Sequence, residues 1–440
     1  MGGKYIAIAN DFDILYYNYK AYLLDCLSSF RFPLWSPAEA AGFPFYASPF
    51  TAAFYPLNIP LAVFYKFAGG YSRFDHQFFT ILGISIFSLG MFLWLKQFKF
   101  NTRAVIFATL VASVSFKLAE IVRFPNAVHT AAWYPWILLL ITRILIARSG
   151  KSRIFSAFYL VFVGICFLTA GYPYYVYYSL FLFPPYTLIC ILIFNRINPF
   201  KSDVSVRSRS VLILSVSSVF TISICAPYLY KMSQLLGETT DRGGGSFGYS
   251  TAHGFNLMDT VGSLIFPPAA QAEGWYYFGI AGFLIAMIYF LQDILGISFT
   301  KSVLRQEEDI AWYNRKRFRF SILLWVALIT YITYGSRSDL FRFLWHHMPG
   351  FSSLRVWGRM NIILVPIIGI VLAASYSYFE NLVLDASRRK AFFALHCCLA
   401  FILLLFQYNS IYFITSLMII TGSHTSLMLQ QRMFFSLSLG

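Results

Sequence analysis

The sequence predicts an all-α integral membrane protein with about ten transmembrane helices. Hydrophobic residues make up 58% of the 440 residues, aromatic residues 20% and charged residues only 12%. Such a composition leaves too little polar surface to cover a soluble globule. The two other observations behind this prediction are the regular recurrence of long apolar segments and the placement of the basic residues between them.

A membrane-spanning helix needs roughly 20 mostly apolar residues. Segments that meet this criterion lie at residues 78–96, 104–122, 131–148, 154–171, 175–195, 210–231, 275–296, 320–336, 361–379 and 391–417. Many transporters have helices broken by Gly or Pro at matching positions in two halves of the chain. The Gly and Pro breaks in this sequence show no such match.

Basic residues are concentrated in every second connection between these segments, and they give the chain a formal net charge of +16. Cytoplasmic loops of membrane proteins carry such an excess of Lys and Arg. The remaining connections are therefore predicted to face the outside: residues 1–77, 123–130, 171–174, 232–274 and 337–360. A nucleic-acid partner is not expected, because that function needs a basic face on a polar domain.

The chain is thus divided into a first outer loop at 1–77, a helix bundle at 78–420 and a tail at 421–440. No secretory signal is recognisable at the N-terminus. An exported first loop without a preceding helix is unusual, and we expect that a first transmembrane helix precedes this segment in the complete protein. The six cysteines have no metal-ligand spacing and are predicted to be small core residues.

Two helices are predicted in the first loop. Residues 14–29 have helical apolar spacing, and Asp13 is placed to cap that helix. Residues 36–42 read as a short helix with Ser36 as its cap and Glu39 as the capping-box partner. Asp11 is then the carboxylate without a structural role, although a solvated loop aspartate is an equally simple interpretation.

Several motifs resemble the YfhO-type bacterial membrane proteins, which belong to the GT-C class of polytopic glycosyltransferases. In the first loop these are "ND" at 10–11, "RFPLWSP" at 31–37, "GFPFYASP" at 42–49 and "FYPLN" at 54–58. "HTAAWYPWILLL" from 129, "AGYPYYVYYSLF" from 170, "FGIAGFLIA" from 278 and "PGFSSLRVWGRM" from 349 agree in order. The resemblance runs across most of the chain and says nothing about the sugar.

This resemblance implies transfer of a sugar from a polyprenyl-phosphate carrier to an acceptor outside the cytoplasm, such as a cell-envelope glycopolymer or a lipid. The lipid bilayer of a bacterial inner or plasma membrane is then the protein's environment. The spacing to the "PLW" motif places the family's first-loop aspartate on Asp11, with Asp13 as the second choice for the general base. The family often has Gln four residues later, where this chain has Leu15.

The departing phosphate needs cationic partners, and Arg355 and Arg359 in the predicted outer loop 337–360 are the leading candidates, with His129 as a third. Anchoring of the two arginines to lipid headgroups is an equally weighted alternative. His129, His253, His346 and His347 do not have the spacing of a metal site. The resemblance implies no certain cofactor, and a divalent metal ion stays an open option.

Lys117, Glu120 and Arg123 have helical spacing near the end of an apolar segment. Charged residues in membrane helices often mark function, but a paired cluster near the interface also forms without one. Two other classes of function stay open. One is a transporter or lipid translocase, and the other is a scaffold without catalysis, for which Leu15 is the one hint.

Overall fold

The computed structural model describes residues 11–38, 41–147, 149–192, 204–238, 246–252, 254–265, 273–292 and 316–382, together with residues 390, 393–395, 398 and 401–402. Within these ranges most residues are helical. An isolated antiparallel bridge between Ser36 and Phe43 is the only β-type pairing found there.

Seventeen α-helices are assigned in the described ranges, in addition to short 3₁₀ and π-helical turns. They are α1 (Tyr17–Ser28), α2 (Asn58–Ala68), α3 (Arg73–Lys96), α4 (Thr102–Ser113), α5 (Phe116–Glu120), α6 (Pro125–Ala132), α7 (Tyr134–Ile146), α8 (Gly150–Thr169), α9 (Pro173–Tyr178), α10 (Phe183–Leu192), α11 (Val204–Gly237), α12 (Phe247–Thr251), α13 (Leu257–Ile265), α14 (Ile280–Leu291), α15 (Lys316–Thr333), α16 (Asp339–His347) and α17 (Leu364–Leu382).

Seven helical segments in the described ranges are long and apolar enough to cross a membrane. They are Arg73–Lys96, Thr102–Arg123, Pro125–Ile146, Gly150–Thr169, Pro173–Leu192, Val206–Gly237 and Trp357–Glu380. Each matches one of the predicted spans, and together they confirm a multi-pass membrane protein. Short breaks join three pairs of helices within single spans: two residues between α4 and α5, Trp133 between α6 and α7, and a 3₁₀ turn at Ser179–Phe181 between α9 and α10.

The remaining three predicted spans have different outcomes. Residues 275–296 contain α14, whose 12 residues extend about 18 Å, well short of the roughly 30 Å bilayer core. Residues 320–336 overlap α15, an 18-residue helix with a basic first turn that is not among the seven. The prediction at 391–417 lies mostly outside the described residues.

Span α3 begins at Arg73, five residues before its predicted start. A capping box explains the difference. The Ser72 side chain accepts from the Asp75 amide, and the Asp75 carboxylate accepts from the Ser72 amide at 2.8 Å. The helix therefore starts in polar sequence before the apolar residues begin.

The predicted cap at Asp13 is wrong. A π-helical turn, Phe12–Tyr16, precedes α1, so Asp13 already lies inside the helical first turn and Asp11 holds the capping position. Asp11 makes no side-chain capping bond, and Asp13 lies 3.9 Å from Arg73 instead.

The predicted short helix at 36–42 is also not supported by its described residues. Ser36 pairs with Phe43 through both backbone hydrogen bonds, at 3.0 and 2.9 Å, which closes a turn rather than starting a helix. Glu39 lies outside the described residues.

The core of the bundle is formed by α3, α4, α6, α7, α8 and α17. Polar contacts of buried side chains also link α3 and α7 to α10. Trp94 of α3 donates to the hydroxyl of Tyr186 at 2.9 Å, and that hydroxyl also bonds to Thr142 of α7. All three side chains are buried. A buried tryptophan or tyrosine needs such a partner, because its polar atom has no water to bond.

Segments that are far apart in sequence meet at the end of the bundle that packs against residues 11–72, which we call the first-loop end. Asn126 of α6 donates to the Phe50 carbonyl at 2.8 Å. Gly171 has a φ of +95°, and a Cβ atom there would lie 2.4 Å from the Pro49 carbonyl oxygen. At the opposite end, Arg103 pairs with Glu380 at 2.7 Å.

The packing of α3 against α7 gives a test of the fold. A Cβ atom at Gly90 would lie 2.6 Å from Trp136 Cδ1, and Trp136 cannot easily move because it donates to the Ile86 carbonyl at 2.8 Å. We expect Gly90→Ala to lower the free energy of unfolding in detergent by about 1–3 kcal/mol. Gly150→Ala is the control, since nothing lies within 4 Å of its new methyl group. Equal stability of the two variants would contradict this packing.

Candidate functional site

Among the described residues, a densely connected group of charges at the first-loop end is centred on the Glu273 carboxylate. Glu273 Oε2 accepts from Arg359 Nε at 2.9 Å, and Oε1 accepts from Arg359 Nη2 at 3.1 Å. The same Oε1 accepts from Arg123 Nη2 at 2.7 Å. One carboxylate therefore binds two guanidinium groups, one of them in the bidentate geometry that favours Arg–carboxylate pairs.

The network continues along α5. Arg123 Nη2 also donates to Glu120 Oε1 at 2.8 Å, and Lys117 donates to Glu120 Oε2 at 2.9 Å. Lys117 is fully buried, whereas the side chains of Arg123 and Glu273 are 33% and 23% exposed. Three cations and two carboxylates leave one positive charge in excess, so the network is cationic. The exposed surfaces of Arg123 and Glu273 give it one open side.

Two close contacts of the Gly274 backbone bring Glu273 to Arg359. A Cβ atom at Gly274, whose φ is +110°, would lie 2.9 Å from the backbone of Gly358. Only glycine permits both this dihedral angle and this approach. The Asn361 side chain also donates to the Gly274 carbonyl at 2.8 Å. Gly274 is next to Glu273 in sequence and Gly358 is next to Arg359, so these contacts hold the two charged residues close together.

Backbone strain lies next to the same site. Val356 has φ of 56° and ψ of 57°, a left-handed conformation that is an outlier for a β-branched residue. Such a residue costs about 1–3 kcal/mol, and these conformations concentrate at functional sites. The strained residue begins the 3₁₀ turn Trp357–Ile363, which carries Arg359.

Phe124 connects the arginines to the first loop. The guanidinium carbons of Arg123 and Arg359 lie 4.7 and 5.5 Å from the centre of its ring. The ring of Tyr16, at the end of the π-helical turn, meets Phe124 edge-on at 6.4 Å. The π-helical turn that follows Asp11 is thus connected to the two arginines through the rings of Tyr16 and Phe124.

Several polar atoms near the arginines are buried without a hydrogen-bond partner among the described residues. They are Arg123 Nε, the hydroxyls of Tyr175 and Tyr178, Trp357 Nε1 and Asn361 Oδ1. Tyr178 is close enough to Arg359 to interact with it electrostatically. Buried unpaired polar groups are rare in proteins, and such a group points to a polar ligand or to water.

The charge balance keeps Glu273 ionised. Burial would raise its pKa, but the hydrogen bonds and charge of Arg359 and the charges of Arg123 and Lys117 outweigh burial and lower the pKa to about 2. The carboxylate is therefore an anion throughout the physiological range of pH.

The structure places the sequence-predicted residues in different surroundings. Arg359 lies in the charged network, and Arg355 lies apart from it, exposed and 5.3 Å from the Tyr249 ring. Asp11 is exposed at the start of the first loop's helix, and Asp13 faces Arg73. The structure therefore connects Arg359, through Glu273, to the cluster of Lys117, Glu120 and Arg123, which the sequence analysis treated separately.

His129 is buried, and both of its ring nitrogens are engaged. Nδ1 bonds to the Tyr55 hydroxyl at 3.0 Å, and Nε2 bonds to the Phe79 carbonyl at 2.8 Å. Its ring also stacks on Phe79, with the centroids 3.9 Å apart. These contacts give His129 a packing role, and we leave it out of the site.

A second polar cluster, which the sequence analysis did not single out, surrounds Lys20 of α1. Lys20 is buried, donates to Asn58 Oδ1 at 2.7 Å and lies 4.5 Å above the Phe79 ring. Burial lowers the pKa of Lys20 to about 7. His76 Nδ1 bonds to the Tyr71 hydroxyl nearby, at 2.8 Å. The only sequence signal was a lysine beside the apolar face of a predicted amphipathic helix.

Within the described residues, no group of three or more His, Cys, Asp or Glu side chains is arranged to hold a metal ion. His253 lies outside these residues. His346 and His347 are exposed, and His347 bonds to the Phe343 carbonyl of its own helix at 2.8 Å.

Comparison of the chain with protein-family models, with curated proteins and with solved structures found no match. The resemblance to YfhO-type proteins is carried by the sequence motifs alone.

The Lys20 cluster predicts a pH dependence. Between pH 7 and 10.5 the unfolded chain binds a proton at Lys20 that the folded chain lacks, so stability rises with pH in this window, by at most about 1.4 kcal/mol per pH unit. We expect Lys20→Met to remove this rise, measured as the free energy of unfolding in detergent at pH 7 and pH 9. Lys66→Met, at an exposed lysine, should keep it. An unchanged rise in Lys20→Met would show that another group causes it.

Proposed function

We propose that this protein is a membrane glycosyltransferase of the GT-C class, which transfers a sugar from a polyprenyl-phosphate carrier to an acceptor outside the cytoplasm. The observation that carries the proposal is the pair of arginines at the first-loop end, Arg123 and Arg359. They are held side by side within a network that has an excess positive charge. A lipid-linked phosphate is a leaving group that needs this kind of partner.

The level of the arginines along the bundle supports a ligand attached to a lipid. Arg123 ends the span Thr102–Arg123, and Arg359 is near the start of the span Trp357–Glu380. Both guanidinium groups therefore lie where spanning segments leave the bilayer core. A phosphate on a polyprenyl chain is located at this level, with its tail between the helices or in the surrounding lipid.

In the proposed reaction, Asp11 takes the proton from the acceptor hydroxyl as that oxygen attacks the anomeric carbon of the sugar. The bond from the anomeric carbon to the phosphate oxygen breaks, and the electron pair goes to the polyprenyl phosphate. Arg123 and Arg359 stabilise the charge that develops on this phosphate. Asp11 suits the role of base because it is exposed and makes no side-chain capping bond.

Asparagine at position 11 tests this assignment. We expect Asp11→Asn to lower the rate of sugar transfer from a polyprenyl-phosphate donor by about 100-fold or more, because an amide cannot accept the proton. Asp13→Asn is the matched control and should stay near the unmodified rate, since Asp13 faces Arg73. The assay uses a radiolabelled sugar donor and the purified full chain in liposomes.

Two results would count against the proposal. Equal transfer by Asp11→Asn and the unmodified protein would remove Asp11 from the reaction. An unmodified protein that transfers no sugar from any donor tested, but moves the lipid-linked substrate across the bilayer, would instead identify a translocase.

A further inference from the structure

We infer that Arg123 and Arg359 form a phosphate-binding site that the protein's own Glu273 carboxylate fills, and that a phosphate ester displaces this carboxylate when it binds. The inference rests on the proposed function for the identity of the ligand's tail. It adds a closed and an open state of the site and assigns Glu273 to it.

The geometry of Glu273 is that of a bound anion. Its two oxygens accept three hydrogen bonds from the two guanidinium groups, at 2.7, 2.9 and 3.1 Å. A phosphate group presents oxygens that accept from guanidinium groups in the same bidentate way. A phosphate monoester also has more terminal oxygens than a carboxylate, so it can bind both arginines without sharing one oxygen between them.

Charge also favours the exchange. With Glu273 in place, Lys117, Arg123 and Arg359 face two carboxylates, and the excess is one positive charge. When Glu273 leaves, one carboxylate, that of Glu120, stays in the network, and the excess becomes two positive charges. The polyprenyl phosphate that the proposed reaction releases is a monoester with up to two negative charges, so it neutralises the open site more completely than Glu273 does. The sugar-carrying donor is a diester with one negative charge, the same as that of the Glu273 carboxylate.

The site is accessible and has unused hydrogen-bonding groups. Glu273 and Arg123 keep 23% and 33% of their side-chain surface exposed, so a ligand can approach the network from solvent. Arg123 Nε and the Tyr178 hydroxyl are buried without a partner among the described residues. A phosphate ester with an attached sugar provides oxygens for such groups.

Removal of the internal carboxylate tests the inference. In Glu273→Gln the side chain keeps its shape but loses its charge, so the arginines hold it less tightly. We expect Glu273→Gln to bind farnesyl phosphate about tenfold more tightly than the unmodified protein does, a change equal to about one charge-assisted hydrogen bond. Isothermal titration calorimetry of the full chain in detergent micelles measures the dissociation constants.

The matched control is Glu380→Gln. Glu380 is also a carboxylate paired with an arginine, Arg103, but at the opposite end of the bundle. Its substitution should leave the affinity for farnesyl phosphate unchanged. A second variant, Glu273→Asp, keeps the charge on a shorter side chain, and we expect its affinity to lie between those of the unmodified protein and Glu273→Gln.

Two further ligands show whether the site recognises the phosphate group alone or a phosphate attached to a lipid tail. Farnesol, which has the tail without the phosphate, should not show a difference between the variants. Inorganic phosphate should show the same order of variants as farnesyl phosphate if the site recognises the phosphate group itself. A gain in affinity that appears only with farnesyl phosphate identifies a site that needs the lipid tail as well, and both results support displacement of Glu273.

Three outcomes would overturn the inference. One is equal or weaker binding of farnesyl phosphate by both Glu273 variants, which would make Glu273 a structural or ligand-holding residue. Another is an equal gain in Glu380→Gln, and the third is no binding by any variant. The result is independent of the proposed reaction: tighter binding without sugar transfer would leave the phosphate site standing and reject the glycosyltransferase.

Discussion

The carboxylate of Glu273 joins three parts of the chain that are distant in sequence. Its partners Arg123 and Arg359 are 150 and 86 residues away. Charges that are partly removed from water must stay paired, because an unpaired one costs several kcal/mol. The segment around Glu273, the end of the span Thr102–Arg123 and the start of the span Trp357–Glu380 are therefore held together. The contact between Gly274 and Gly358, the bond from Asn361 and the strained Val356 all lie beside this shared carboxylate and fix its position.

The sequence predicted the spans well because their signal is local. Twenty apolar residues must be helical in a bilayer whatever their neighbours are, and seven predicted spans are found as such helices. The helix ends were less predictable, since they depend on caps: the Ser72–Asp75 capping box moves the start of α3 to Arg73. The π-helical turn that starts before Asp13 overturned a cap that was plausible from residue type alone.

The charged site was predictable only in parts. Lys117 and Glu120 lie on α5 and Arg123 in the 3₁₀ turn that follows it, so their pairing follows from spacing. Arg359 was singled out by the chemistry of phosphate binding. Glu273 joins these residues into one network. No local sequence pattern marks Glu273, and only the tertiary fold brings it to Arg123 and Arg359. His129 and Lys20 show the same limit: His129 was a phosphate candidate, yet both of its ring nitrogens are bonded elsewhere, and the burial of Lys20 depends on Asn58 and Phe79.

The most direct test of the central claim is a structure of the full chain determined by electron cryo-microscopy with farnesyl phosphate bound. The account predicts phosphate density between the guanidinium groups of Arg123 and Arg359, with the Glu273 carboxylate moved out of hydrogen-bonding distance of both. Phosphate density elsewhere on the protein, with Glu273 still bound to the two arginines as it is here, would contradict the account.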